Sequence, residues 1–221
     1  MNTEQHPFSV VMAVCDQAHD LEERLPAFLQ QEYEPGYEVI VVDESSADET
    51  PDVLKLLKNE YKHLYTTFLP KPTAQTFCRK LAFNIGIKAA HNEYIIMTKI
   101  NNAPASTDVL KAIAEVLNPE AQLTLGYVSK KHIRLQTFDT VAEAEGHIRR
   151  SQRKLKKVRE RQYGNYPWGR YDFIILRKEN TVELLRLFEQ RISAFELFRI
   201  RLGILWKNFF QRSSTTLLYT E

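Results

Sequence analysis

Glycine is scarce in this chain: seven in 221 residues leave little material for loops that cradle phosphate. Neither G-x-G-x-x-G nor G-x4-G-K-[ST] occurs, which argues against dinucleotide-dependent dehydrogenases and P-loop enzymes. Cysteine is scarcer still. Cys15 and Cys78 make no disulfide framework, and their spacing fits no zinc motif, so reduced thiols are expected. The six histidines are scattered without His-x3-His or a similar metal spacing. No segment approaches the roughly 18 apolar residues of a membrane span. The start, MNTEQHPFSVV, lacks the basic residues and long apolar stretch of a signal peptide. A soluble, cytoplasmic protein is the expectation. A formal net charge of +2 gives no global argument for nucleic acid.

What is present is an ordinary core, with 43% hydrophobic and 26% charged residues, expected to form one domain over 1–221. Short β-branched runs alternate with helical periodicity. Phe8 to Val14 and Val39 to Val42 read as strands buried on both faces, Glu93 to Met97 as another buried strand, and Leu123 to Val128 as a strand. Tyr65 to Leu69 reads as a shorter strand. A helix capped by Asp20 runs to Gln31 with Leu21, Leu25, Phe28 and Leu29 on one face. Further helices are expected over Asp52–Tyr61, Phe77–Ala90 and Asp108–Leu117. This order implies an α/β fold over 1–130, a mostly parallel sheet with helices on both faces. From 131 to 221 the pattern changes. A charged helix (Ala142–Gln162), an aromatic loop (Tyr163–Arg170), a strand (Tyr171–Arg177) and C-terminal helices over much of Thr181–Gln211 are expected.

The stretch YEVIVVDESSADET, Tyr37 to Thr50, carries the chemistry. An apolar strand ends abruptly in Asp43 and Glu44. Ser45, Ser46 and Asp48 follow as candidate caps for the helix near Thr50–Pro51. In an open α/β sheet, ligands bind outside the carboxyl ends of the strands. A carboxylate there suits the imide or hydroxyl donors of a nucleoside. Asp16, beside the end of the first strand, is a second candidate for the same nucleoside.

Three segments resemble glycosyltransferase family 2. They are SVVMAVCD, LPAFLQQEYEPGYEVIVVDESSADET and RKLAFNIGIKAAHNEYI. The first has Ala13 and Asp16 where proline and asparagine are usual. The resemblance covers residues 7 to 117 well and the remainder loosely. It implies a GT-A fold that transfers a sugar from a nucleotide diphosphate, with inversion, to a glycan or lipid-linked acceptor. A uridine diphosphate sugar is the expected donor. Residues 1–130 would be the nucleotide-sugar-binding core and 131–221 the acceptor side. Sugar-nucleotide pyrophosphorylases share the broad fold but usually open with a Gly-rich loop, which is missing here.

The resemblance implies that Asp43 holds the base and that Arg79 and Lys80 lie near the diphosphate. It breaks after EYIIM. There the family usually has Asp-x-Asp holding Mg²⁺ or Mn²⁺, and this chain has Lys99-Ile100-Asn101. A protonated lysine cannot ligate a hard cation and asparagine offers one neutral oxygen, so no metal set is expected. Two readings stay open. Lys99, with Asn101 beside it, stands in for the metal against the diphosphate. Or catalysis is lost, and the fold binds a nucleotide, a glycan or a protein. For the base that deprotonates the acceptor hydroxyl, the resemblance points to Glu196, with Asp172 and Glu189 as alternatives.

Two segments bear on partners. Ile148 to Arg161, IRRSQRKLKKVRER, presents a broad basic face opposite Ile148, Leu155 and Val158. It suits an anionic membrane surface, a phosphorylated acceptor or plain solvent, and without interleaved aromatics it does not suit nucleic acid. Phe195, Phe198, Leu202, Leu205, Trp206 and Phe209 share one helical face, with apolar residues opposite. That helix is sandwiched in the protein, covered in a homo-oligomer, or laid on the cytoplasmic face of a membrane as a peripheral contact.

Overall fold

The computed structural model describes residues 6–69, 78–129, 132–156, 171–180 and 215–219. The chain divides into two compact units, one running to Leu117 and the other from Asn118 to Tyr219.

The first unit alternates strand and helix. Its elements are β1 (Phe8–Val14), α1 (Ala18–Leu29), β2 (Tyr37–Asp43), α2 (Thr50–Glu60), β3 (Leu64–Phe68), α3 (Cys78–Ala89), β4 (Tyr94–Thr98), a 3-10 turn (Ile100–Asn102) and α4 (Val109–Val116). The four strands pair in parallel in the order β3-β2-β1-β4, so β1, the first of the four along the chain, lies inside the sheet. Parallel neighbours need long crossovers, and the intervening helices supply them. All seven residues of β1 and all five of β4 are buried, as are Glu38 to Asp43 in β2. That two-sided burial is why these strands read as unbroken apolar runs. The Tyr33-Glu34-Pro35-Gly36 turn before β2 forms as expected. Gly36 sits at φ +88° and its N–H donates to the Tyr33 carbonyl at 3.1 Å.

Helix α3 packs on β1 and β2 through a missing side chain. A Cβ on Gly86 would lie 2.5 Å from Val11 Cγ1 and 3.2 Å from Val42 Cγ2. In the segment Asn84-Ile85-Gly86, the glycine therefore serves helix–sheet approach.

Two polar residues, Ser9 and Glu38, lie in the buried rows near the amino ends of β1 and β2. The Ser9 hydroxyl donates to Glu38 Oε1. The same oxygen accepts the His91 backbone N–H at 2.6 Å, and Oε2 accepts from His91 Nδ1 at 2.8 Å. Asn92 closes the cluster, its N–H donating to Ser9 Oγ at 3.2 Å and its side-chain amide to the Phe8 carbonyl at 2.8 Å. This cluster ties the turn before β4 to the amino edge of the sheet.

The second unit holds β5 (Leu123–Ser129), β6 (His132–Phe138), α5 (Val141–Lys156), β7 (Phe173–Arg177) and β8 (Thr215–Tyr219). Its strands pair antiparallel in the order β7-β5-β6-β8. Gly126 stands opposite Phe173, whose ring covers it so closely that a Cβ would come within 2.1 Å of Cζ. Tyr127 and Tyr171 pack ring to ring at 4.7 Å. Helix α5 buries Val141, Ala144, Glu145 and Ile148, so its inward face holds a carboxylate as well as apolar groups.

Strands β6 and β8 were not anticipated. In β6 (HIRLQTF) polar residues alternate with apolar ones over too few positions to stand out. The expected loop at Tyr163–Arg170 and the helices over Thr181–Gln211 lie outside the described residues, as does the α5 continuation to Gln162.

Candidate functional site

The carboxyl ends of β1, β2 and β4 share one edge of the parallel sheet. Because β2 follows β1 on one side and β4 lies on the other, the strand order reverses between β1 and β4. Such a switch point opens a crevice for a ligand. Four of the sequence-derived candidates, Asp16, Asp43, Lys99 and Asn101, stand at this edge.

Asp43 ends β2 and is 5% exposed. Its Oδ1 accepts from the Ser46 N–H at 3.0 Å and the Ser46 hydroxyl at 2.5 Å. Among the described residues Oδ2 accepts nothing. Ser46 Oγ also accepts the Asp16 N–H at 2.9 Å, and Asp16 Oδ1 accepts the Ala47 N–H at 2.7 Å. Ser46 thus fastens the end of β1 to the end of β2. Asp16 is held at φ +51° and Ser45 at φ +64°, in the left-handed region that non-glycine residues seldom adopt. Ser45 donates to the Leu69 carbonyl.

These contacts correct the capping expected from sequence. Neither Ser45 nor Ser46 caps α2, because each is engaged elsewhere. Asp48 does that work, accepting the Thr50 N–H at Oδ1 (3.0 Å). Its Oδ2 accepts the Ala18 N–H at 3.0 Å, so one carboxylate serves the first turns of both α1 and α2. Asp20 is accordingly not the cap of α1. It lies inside the first turn, where it pairs with Arg24 at 3.3 Å. Burial would raise the Asp48 carboxyl, but the Thr50 hydroxyl and the Ala18 and Thr50 N–H groups outweigh it and hold it below the usual carboxylate range. Asp48→Ala is expected to cost about 1–2 kcal/mol, as cap removals do. Urea unfolding monitored by circular dichroism measures it.

Gln17 is the residue that sequence reasoning missed. Its backbone N–H donates to Thr50 Oγ1 at 3.0 Å, and its side-chain amide donates to Asn101 Oδ1 at 3.2 Å. It therefore joins the β1 end to the turn after β4. No local motif announces this, since its partners are 33 and 84 residues away.

Lys99 follows β4 in extended conformation and is only 7% exposed. Its carbonyl accepts the Asn102 N–H at 3.0 Å, starting the 3-10 turn that carries the exposed Asn101. Arg79 lies in the first turn of α3, and its side chain is outside the described residues. Glu196 and Glu189 lie outside them altogether. Asp172 belongs to the second unit, where its N–H donates to the Gly126 carbonyl at 2.9 Å.

Residues 9–128, just over half of the chain and most of this crevice, match the profile of glycosyl transferase family 2. The chain belongs to glycosyl transferase family 2. The α/β fold and the resemblance read from the sequence are thereby established. Among solved structures, the chain is similar to a mannosyltransferase from Pyrobaculum calidifontis, PcManGT, in complex with GDP-Man and Mn²⁺. The identity is 22% and the TM-score 0.49, covering 57% of this chain and 36% of that one. It is also similar to residues 1–349 of S. aureus TarS with UDP-GlcNAc, at 21% identity and TM-score 0.44, covering 53% and 33%. The family 2 chain thus spans about a third of the length of these two solved chains. A likeness in fold extends over 96% of it to a 4-diphosphocytidyl-2C-methyl-D-erythritol synthase from Anaerococcus prevotii, at 11% identity and TM-score 0.51. Comparison with curated proteins returns no match.

For a family 2 protein, the donor set at the end of β4 does not fit a divalent cation. Lys99 presents an ammonium, and the Asn101 oxygen already serves Gln17. The nearby carboxylates are partly engaged as well. Asp48 uses both oxygens on backbone N–H groups, and Asp16 and Asp43 each use one on the β2–α2 loop. Among the described residues no three ligating side chains gather.

Proposed function

We propose that this protein transfers a sugar from a nucleoside diphosphate, with a uridine diphosphate sugar as donor, to a glycan or lipid-linked acceptor. One observation carries the reading. Asp43 is a buried carboxylate, fixed by Ser46 at the carboxyl end of β2, with Oδ2 left to accept from the base. Asp16 and Asn101 line the same edge, and Arg79 is assigned to the diphosphate. In the inverting reaction the acceptor oxygen attacks the anomeric carbon as a base takes its proton. The nucleoside diphosphate departs with the bonding pair. Glu196 is proposed as that base, ahead of Asp172 and Glu189. The protein would work in the cytoplasm, with the basic run Ile148–Arg161 and the apolar run Phe195–Phe209 of its second half meeting a membrane-borne acceptor or a second copy.

Calorimetric titration with UDP, GDP and their sugar conjugates tests the donor site. Asp43→Asn keeps an oxygen for Ser46 but turns a donor toward the ligand. It is expected to weaken binding of the preferred nucleotide about tenfold or more, the worth of a hydrogen bond to a charged group. Unchanged affinity removes Asp43 from the site. Failure of every nucleotide to bind favours the second reading, a catalytically silent module, which the loss of Asp-x-Asp supports.

A further inference from the structure

The cation facing the donor diphosphate in family 2 proteins is ordinarily a divalent metal held by Asp-x-Asp, and the residues at the end of β4 cannot hold one. We infer that the Lys99 ammonium is the diphosphate-neutralising cation of this protein and that it binds its donor without metal. The inference rests on the transferase reading above and names how that site works.

Three observations meet at this residue. The first is position. Lys99 is the residue after β4, on the side of the β1/β4 switch point opposite Asp43. Asp43 and Lys99 thus stand on the same carboxyl edge of the parallel sheet, with β1 between them. The second is burial. At 7% exposure the lysine is largely shielded from solvent. A shielded charge acts at lower effective dielectric and with less salt screening than a surface lysine. A departing diphosphate needs that kind of fixed positive charge. The third is rigidity. The Lys99 carbonyl anchors the 3-10 turn, and Asn101 in that turn is tied by Gln17 to the start of α1. The turn that follows the lysine is thus tied to the start of α1.

The same features oppose a metal ion. A divalent cation brought to this edge would meet the lysine charge in a poorly screened setting. It would find one neutral side-chain oxygen, already engaged, where two carboxylates are needed.

The test is nucleotide titration of the full chain in EDTA and again in Mn²⁺, for the wild type, Lys99→Met and Lys99→Arg. The inference expects wild-type dissociation constants that agree within about threefold in the two conditions. In EDTA, Lys99→Met should weaken binding about tenfold or more, with Lys99→Arg retaining most of the affinity. Wild-type binding that requires Mn²⁺ overturns the inference while leaving the transferase reading intact. No binding in either condition overturns that reading itself. Metal-free binding that survives Lys99→Met removes lysine from the role. Should Lys99→Met fail to fold, the Lys99→Arg and wild-type arms still decide between ammonium and metal.

Discussion

Glu38→Ala is expected to destabilise the first unit by about 2–4 kcal/mol, a large share of the total for a domain of this size. The substitution removes an acceptor that serves three donors. The Ser9 hydroxyl, the His91 N–H and His91 Nδ1 all lose their partner, and Ser9 is fully buried. An ionised carboxylate only accepts, so His91 carries its proton on Nδ1 in this arrangement. Burial would raise the Glu38 carboxyl above its ordinary 4.5, but the hydrogen bonds from Ser9 and His91, with the His91 charge, outweigh it and hold it lower. The sign follows from linkage. A carboxyl depressed in the folded state binds its proton more readily when unfolded, so its contribution is fully present above the unfolded value. It fades as pH falls from about 4.5 through the depressed folded value. Urea midpoints of wild type and Glu38→Gln should therefore stand apart at pH 7 and draw together as pH falls below 4.5 and through the depressed folded value. A separation that does not narrow at all as pH falls below 4.5 would show that Glu38 contributes through shape alone.

Gly86→Val is expected to cost about 3 kcal/mol or more. The first added carbon already falls 2.5 Å from Val11 Cγ1, well inside contact distance, and Val11 is fully buried on the central strand. Relief requires α3 to lift from β1 and β2. Against this, replacing a helical glycine recovers only about 0.5 kcal/mol of propensity when the newcomer is β-branched. Thermal unfolding measures the balance. Because α3 sits above both strands that end at the crevice, nucleotide affinity should fall in parallel. An unchanged melting temperature would show that the helix has room the packing denies.

Legibility in the sequence followed the range of the interactions. Strands β1, β2 and β4 could be read because two-sided burial demands unbroken apolar runs, and helix α1 because Leu21, Leu25, Phe28 and Leu29 repeat at helical spacing. Asp43 was legible because a carboxylate at the end of such a run is chemically abrupt. The role of Ser46 was not, since its hydroxyl looks like any cap until the Asp16 N–H is brought to it from 30 residues away. Asp48 was read as a cap for one helix and serves two, because Ala18 approaches only in the folded chain. Lys99 was conspicuous for its charge, but its burial is a property of the sheet, and no pattern around it foretold that.

The strand order has a consequence for how the chain comes into being. β1 leaves the ribosome before β2 and β4 but lies between them, with β2 on one flank and β4 on the other. Its second flank stays bare until Tyr94–Thr98 has been synthesised. During that interval seven core residues expose an unsatisfied backbone edge of the kind that recruits other chains. Slow, long-range closure of this sort favours a holding chaperone over rapid autonomous folding.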